Sequence, residues 1–244
     1  MSAIGASPSS AIAKRWRIVP TVIGSLNTLT NTGSGDAYIA KYNSAGVVQW
    51  FAKQGGGGVD QANAVTVDST GNIIVAGYYG STTLTIYNRD GTAFATTLTT
   101  TSGITDAYIA KYNSAGDVQW VAKQGGAGND RANAVTVDSS GNIIVAGYFT
   151  SNPFTIYNKD GTAFATTLAN SGNDAYIAKY NSDGFVQWVA KQGGTGSDQA
   201  NAVSVDSTGN IIVAGFYTSS PLTIYNSDGT NGVPDIPSSI VYYR

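Results

Sequence analysis

Asp60, Asp130 and Asp198 each close the string Gly-Gly-x-Gly-x-Asp, read as GGGGVD from Gly55, GGAGND from Gly125 and GGTGSD from Gly193. That string is part of a nonapeptide that binds calcium in parallel β-rolls, where stacked copies share each ion through oxygen ligands. In a roll the copies follow one another directly, whereas here they stand about 70 residues apart. Two readings follow. Asp60, Asp130 and Asp198 hold calcium, or the glycines permit a tight crossover between strands and the aspartate ties it down. The residues call for no cofactor beyond that one candidate ion.

Other chemistry is poorly provided for. The chain has 15 acidic residues, every one of them Asp, and neither His nor Cys. General acid–base catalysis most often uses His, and a catalytic carboxylate pair needs two groups in different environments. Here Asp36, Asp106 and Asp174 occupy one repeated slot, and Asp60, Asp130 and Asp198 a second. Asp68, Asp138 and Asp206 fill a third, and Asp90, Asp160 and Asp228 a fourth. A carboxylate required in every copy of a unit is explained by the unit. Those of the third slot precede Ser-x-Gly-Asn, where the side chain accepts turn N–H groups, and those of the fourth precede a hairpin glycine. Asp117, Asp183 and Asp235 stand outside the slots, and nothing brings them together. The expectation is a chain with no catalytic residue, not an enzyme.

Aromatics are the remaining candidates for ligand contact. Trp50, Trp120 and Trp188 occur once per repeat, as do Tyr78, Tyr148 and Phe216. One reading stacks them on sugar rings, and several copies then give avidity for glycans. The other lets them fill the wedge between neighbouring sheets, which the alternation of each Trp with Val and Ala favours.

These residues are positioned by a repeat. DAYIAKYNSAG begins at Asp36 and again at Asp106, and DAYIAKYNSDG begins at Asp174. Within a period, NAVTVDSSGNIIVAGYF from Asn133 has two β-branched runs split by Asp-Ser-x-Gly-Asn, which predicts a hairpin, A–B. AYIAKYNSAGDVQWVAK from Ala107 predicts a second, C–D, with Tyr108, Ala110 and Tyr112 on one face. Between B and C lies a Thr-rich connection, FTIYNKDGTAFATTL from Phe154, which reads as a further hairpin turning at Asp-Gly. It is nearly uncharged and rich in β-formers. It therefore packs on a neighbouring sheet or makes contacts between molecules, and its stickiness favours the second.

Four antiparallel strands per period is the pattern of a propeller blade, so the fold class is all-β. The strings GGAGNDRANAVTVDSSGNIIVAGYF and DAYIAKYNSDGFVQW resemble the bacterial-type β-propeller repeat, usually called the seven-bladed propeller repeat, over roughly residues 36–217. The resemblance implies Gly-rich blades in surface or secreted proteins of mostly non-enzymatic function. The repeat is out of phase with the blade: the order is C-D, A-B-C-D, A-B-C-D, A-B. Residues 1–35 form an N-terminal arm and first edge segment, 36–217 the repeat domain, and 218–244 a last insertion hairpin with a tail.

Three blades' worth of strands are fewer than the four to eight of ordinary propellers. The terminal halves are expected to complete one another between molecules, giving a homo-oligomer: a closed two-chain ring or a filament. The alternative is a monomer whose terminal segments cap its own edges. Trp16, Tyr242 and Tyr243 are candidate assembly residues. A net charge of −2 draws no polyanion, so nucleic acid is not an expected partner. No apolar run is long enough for a membrane span and no Sec-type signal is recognisable, while the resemblance favours an extracellular or particle-surface setting. The expected function is that of a structural or adhesive surface module, with a propeller lectin as the alternative.

Overall fold

The computed structural model describes residues 28–101 and 104–232, so the candidate assembly residues Trp16, Tyr242 and Tyr243 lie outside the described residues. In chain order the strands are β1 (Ala37–Tyr42), β2 (Val48–Gly55), β3 (Asp60–Val67), β4 (Ile73–Tyr79), β5 (Thr83–Ile86), β6 (Leu98–Thr99), β7 (Asp106–Tyr112) and β8 (Val118–Gly125). They continue as β9 (Asp130–Val137), β10 (Ile143–Phe149), β11 (Thr155–Ile156), β12 (Asp174–Tyr180), β13 (Val186–Gly193), β14 (Asp198–Val205), β15 (Ile211–Tyr217) and β16 (Thr223–Ile224). Among the described residues there is no helix, and so none long and apolar enough to cross a membrane.

The strands sort into β-propeller blades, and the blades are out of phase with the repeat. One sheet runs β3-β4-β7-β8-β11 and the next β9-β10-β12-β13-β16. Each takes its inner A–B hairpin from one repeat and its outer C–D hairpin from the following one. Among the described residues that leaves β1 and β2 as an outer half without an inner one, and β14 and β15 as an inner half without an outer one. Strand β9 lies beside β3 on one side and β14 on the other, so the inner strands gather along a common axis.

Local chemistry fixes the hairpins. In the β3–β4 turn Asp68 Oδ1 accepts the N–H groups of Thr70 (3.0 Å) and Asn72 (2.9 Å), closing an Asx-type turn. The β7–β8 turn uses Asn113 in the same way, its Oδ1 accepting from Ala115 and Asp117. Each inner strand also carries a bulge at its asparagine, since Ala62 pairs with Gly77 and Ala64 with Ala76, leaving Asn63 without a cross-strand mate. The freed amide donates to the next inner strand, Asn63 Nδ2 to the Ala132 carbonyl at 2.9 Å and Asn133 Nδ2 to the Ala200 carbonyl at 3.0 Å. Gly147 faces the equivalent bulge because a Cβ there would collide with the carbonyl of Arg131.

The Thr-rich connections correct the expectation that they reach between molecules. Each does turn at Asp-Gly, with Tyr87 bridged to Ala93 and Tyr157 to Ala163. But β5 pairs with β2, β11 with β8, and β16 with β13. Every connection thus adds a strand to the outer edge of the preceding C–D hairpin, the fifth strand in each whole blade. The unpaired edge of strand D supplies backbone donors and acceptors within reach, and pairing them internally removes the exposed edge that made the segment look adhesive.

The core lies between sheets. One apolar cluster, including Ile39, Trp50, Tyr108 and Tyr112, fills the wedge between the first outer half and the first whole blade. A second, including Ile109, Trp120, Tyr176 and Tyr180, fills the wedge between the two whole blades. A third, beneath the last inner half, is reduced to Ala146, Ala175 and Ala200.

Candidate functional site

Each filled wedge is held by the same polar clamp. Gln54 on β2 projects into the next blade, where its Nε2 donates to the Tyr112 hydroxyl at 2.9 Å and its Oε1 accepts from the Tyr108 hydroxyl. Gln124 on β8 does the same one blade further on, donating to Tyr180 at 3.0 Å and accepting from Tyr176. Both glutamines and all four tyrosines are fully buried, so the amide satisfies two phenols that would otherwise be stranded away from water. Trp50 stacks on Tyr112 with centroids 6.3 Å apart, and Trp120 on Tyr180 at 6.4 Å. Behind the indoles sit Gly116 (φ 97°) and Gly184 (φ 85°), where any side chain would strike the ring.

Charges stitch the rims. Lys111 on β7 pairs with Asp68 in its own blade at 3.3 Å and donates to the Ser182 carbonyl of the next blade at 3.1 Å. Lys179 pairs with Asp138 at 2.9 Å. Further contacts recur at the outer turns, where Asn88 Oδ1 accepts the Val118 N–H and Asn158 Oδ1 the Val186 N–H, both at 2.8 Å.

The third copy of this joint exists only as separated halves. Tyr38 and Tyr42, equivalents of Tyr108 and Tyr112, are 67% and 58% exposed. Gln192, the equivalent of Gln54 and Gln124, is only partly buried on β13. On the other half Ile212, Phe216 and Tyr217 are each more than half exposed, whereas Ile144 and Phe149 are fully buried. Gly46 (φ 76°) faces open space where Gly116 faces Trp50. The edges of β15 and β1, which pair with no strand among the described residues, are the candidate functional site.

The residues singled out for chemistry are placed otherwise. Asp60 Oδ2 accepts from Ser81 Oγ at 2.6 Å and from the Gly56 N–H at 2.8 Å, while Oδ1 accepts from the Ser81 N–H. Asp130 and Asp198 hold Ser151 and Ser219 in the same way, both at 2.5 Å. The three are spread over three blades, each committed to its own crossover, and among the described residues no three acidic groups converge as metal ligands. Burial pushes the carboxyls of Asp60 and Asp130 above their ordinary range against the pull of the serine bonds. Trp50 and Trp120 are buried and Trp188 half-buried, so the indole faces of the first two are taken by tyrosine rings rather than open to a sugar. Tyr78 is buried with its hydroxyl donating to Gln61 at 2.9 Å, and Arg131 lies over its ring and, further off, over that of Tyr148. Phe216 stands on the open half.

One carboxylate gives a pH dependence. Asp106 is 1% exposed, and burial, against the opposing charge of Lys123 and with the repulsion of Asp130, pushes it up to about 6. The folded chain then binds a proton more tightly than the unfolded one, so stability falls as pH climbs from about 4 to about 6, and the deficit stays at neutrality. Asp106→Asn keeps an acceptor for the Thr101 N–H. We expect the parent to gain up to about 3 kcal/mol more than this variant on going from pH 7 to pH 4 in parallel urea titrations.

Sequence reasoning missed Gln54, Gln124 and Gln192, the bulge asparagines Asn63, Asn133 and Asn201, and the lysines Lys41, Lys111 and Lys179. Their signal was identity in all three repeats on strand positions that uncharged amides and a lone cation seldom occupy when buried. Two shallow depressions, of about 290 Å³ beside Lys191 and Tyr225 and about 150 Å³ beside Asp36 and Lys53, bring no further constellation together.

No family model matches the chain. It is 32% identical over 239 residues, 91% of its length, to an uncharacterized WD repeat-containing protein of Acanthamoeba polyphaga mimivirus. A regulatory protein, FlaEY, of Caulobacter vibrioides is 27% identical over 113 residues, 46% of the chain. The chain spans only 17% and 12% of the length of those two proteins. The mimivirus likeness and the blade architecture agree on a repeat protein of β-propeller type.

Proposed function

We propose that the chain is a non-enzymatic structural module, of the kind that builds adhesive or scaffolding surfaces, and that it works by assembling with copies of itself. The observation that carries this reading is the fate of one residue in three contexts: Tyr108 and Tyr176 are fully buried by the preceding glutamine-bearing sheet, whereas Tyr38 is 67% exposed. Burying an aromatic of this size is favourable by roughly 2–3 kcal/mol, and the open halves leave several such residues in water. The absence of His, Cys and Glu supports a non-catalytic role. Propellers close with about four to eight blades, and a second copy of the three blades' worth described here brings a ring into that range. The favoured assembly is therefore a two-chain, six-bladed ring, with a head-to-tail filament if the rotation does not close.

The glycan-binding alternative rests on the half-buried Trp188 and the exposed Phe216, because Trp50 and Trp120 are buried against tyrosine rings. Mass determination in solution over a wide concentration range tests the assembly reading. Twice the chain mass, giving way to the monomer on dilution, is the expected result, and regular polymers under the electron microscope would support the filament form. A strictly monomeric chain at high concentration overturns the proposal.

A further inference from the structure

Resting on that reading, the repeat geometry points to one particular joint: β15 of one copy pairs antiparallel with β1 of a second copy, Ile211 opposite Tyr42 and Tyr217 opposite Asp36, with Gln192 of the first clamping Tyr38 and Tyr42 of the second. The register comes from two internal templates that agree. Ile73 pairs with Tyr112 and Tyr79 with Asp106 in one blade, and Ile143 pairs with Tyr180 and Phe149 with Asp174 in the next. Transferring that ladder to the free edges places Val213 opposite Ala40, as Val75 lies opposite Ala110 and Val145 opposite Ala178.

A single docking motion then supplies every contact that the third joint lacks. Asp206, whose twins Asp68 and Asp138 pair with lysines of their own blades, meets Lys41. Trp188 reaches Tyr42 and Gly46, as Trp50 reaches Tyr112 and Gly116. Asn226 Oδ1 receives the Val48 N–H, as Asn88 and Asn158 receive those of Val118 and Val186. Asn201, free of the bulge bond that Asn63 and Asn133 make, faces the Ala62 carbonyl of the second copy. Complementarity of charge, ring, glycine space and backbone is thus fixed by the chain's own repeats, and the occupant is a second copy. The joint is head-to-tail, which excludes β1 against β1 and β15 against β15.

The chain has no cysteine, so introduced thiols are unique. Full-length Ala40→Cys and Val213→Cys variants, mixed and treated with a thiol–thiol linker long enough only for facing strand residues, should form a covalent heterodimer. The slipped pair Ala40→Cys with Ala214→Cys should not, because neighbouring strand residues point to opposite faces. Gln192→Ala should weaken association about ten- to a hundredfold, by stranding two phenols, and leave the melting temperature of the dilute monomer unchanged. Cross-linking of Ala40→Cys to itself, or of the slipped pair, in chains that still associate overturns this joint while self-assembly stands. A chain monomeric at every concentration overturns both.

Discussion

Tyr176→Ala will lower the unfolding free energy of the chain by about 4 kcal/mol, while Tyr38→Ala will leave that of the dilute monomer within about 0.5 kcal/mol. The two residues are the same type at the same point of the repeat. Tyr176 lies edge-on to Phe149 and beside Phe154, and its hydroxyl holds Gln124. Truncation there opens a large void and strands a buried amide, two costs that add. Tyr38, 67% exposed, has neither neighbour among the described residues, so the monomer loses little. Denaturant titration of both variants checks the contrast. Equal effects would mean that the first outer half is covered in solution by something other than a second copy.

Lys111→Met will cost about 3 kcal/mol, because removing one member of a buried ion pair leaves its partner's charge uncompensated. Lys111 is 7% exposed, between Asp68 in its own blade and the Ser182 carbonyl in the next. Methionine keeps the shape of the aliphatic stem and removes only the cation, so packing is not what changes. Among the described residues the matching exchange at Lys41 removes a single bond to the Ser114 carbonyl and no ion pair. We expect it to cost less than about 1 kcal/mol in urea titrations of the dilute chain. A large loss at Lys41 would mean that its charge already has a partner.

Much of this architecture is legible in the sequence. Asp68 before Ser-Thr-Gly-Asn and Asn113 before Ser-Ala-Gly announce hairpins because an Asx side chain can close a turn by itself, and both turns form as the strings require. The phase of the repeat was legible from where the Asp-Ala-Tyr-Ile string begins. The destination of the Thr-rich connection was not. Thr155–Ile156 is too short to show any periodicity, and its partner Gln124–Gly125 lies a whole hairpin earlier. The Gln–Tyr clamp escaped for another reason: in Ala-Lys-Gln-Gly the amide looks like a surface residue, and only the approach of the next sheet turns it into an interior one. The slots of Asp60, Asp130 and Asp198 were legible as repeated, but their serine partners, about twenty residues on, lie beyond the reach of any local spacing rule.

The fifth strand has a consequence for synthesis. The edge of β8 is closed by β11, which the ribosome delivers only after the whole β9–β10 hairpin of the following repeat. Blades are therefore finished one repeat late, and a nascent chain halted after any B strand carries an outer edge still waiting for its cover. Truncations placed between β10 and β11 leave β8 bare, and such fragments should be held by chaperones while those ending just past β11 are released.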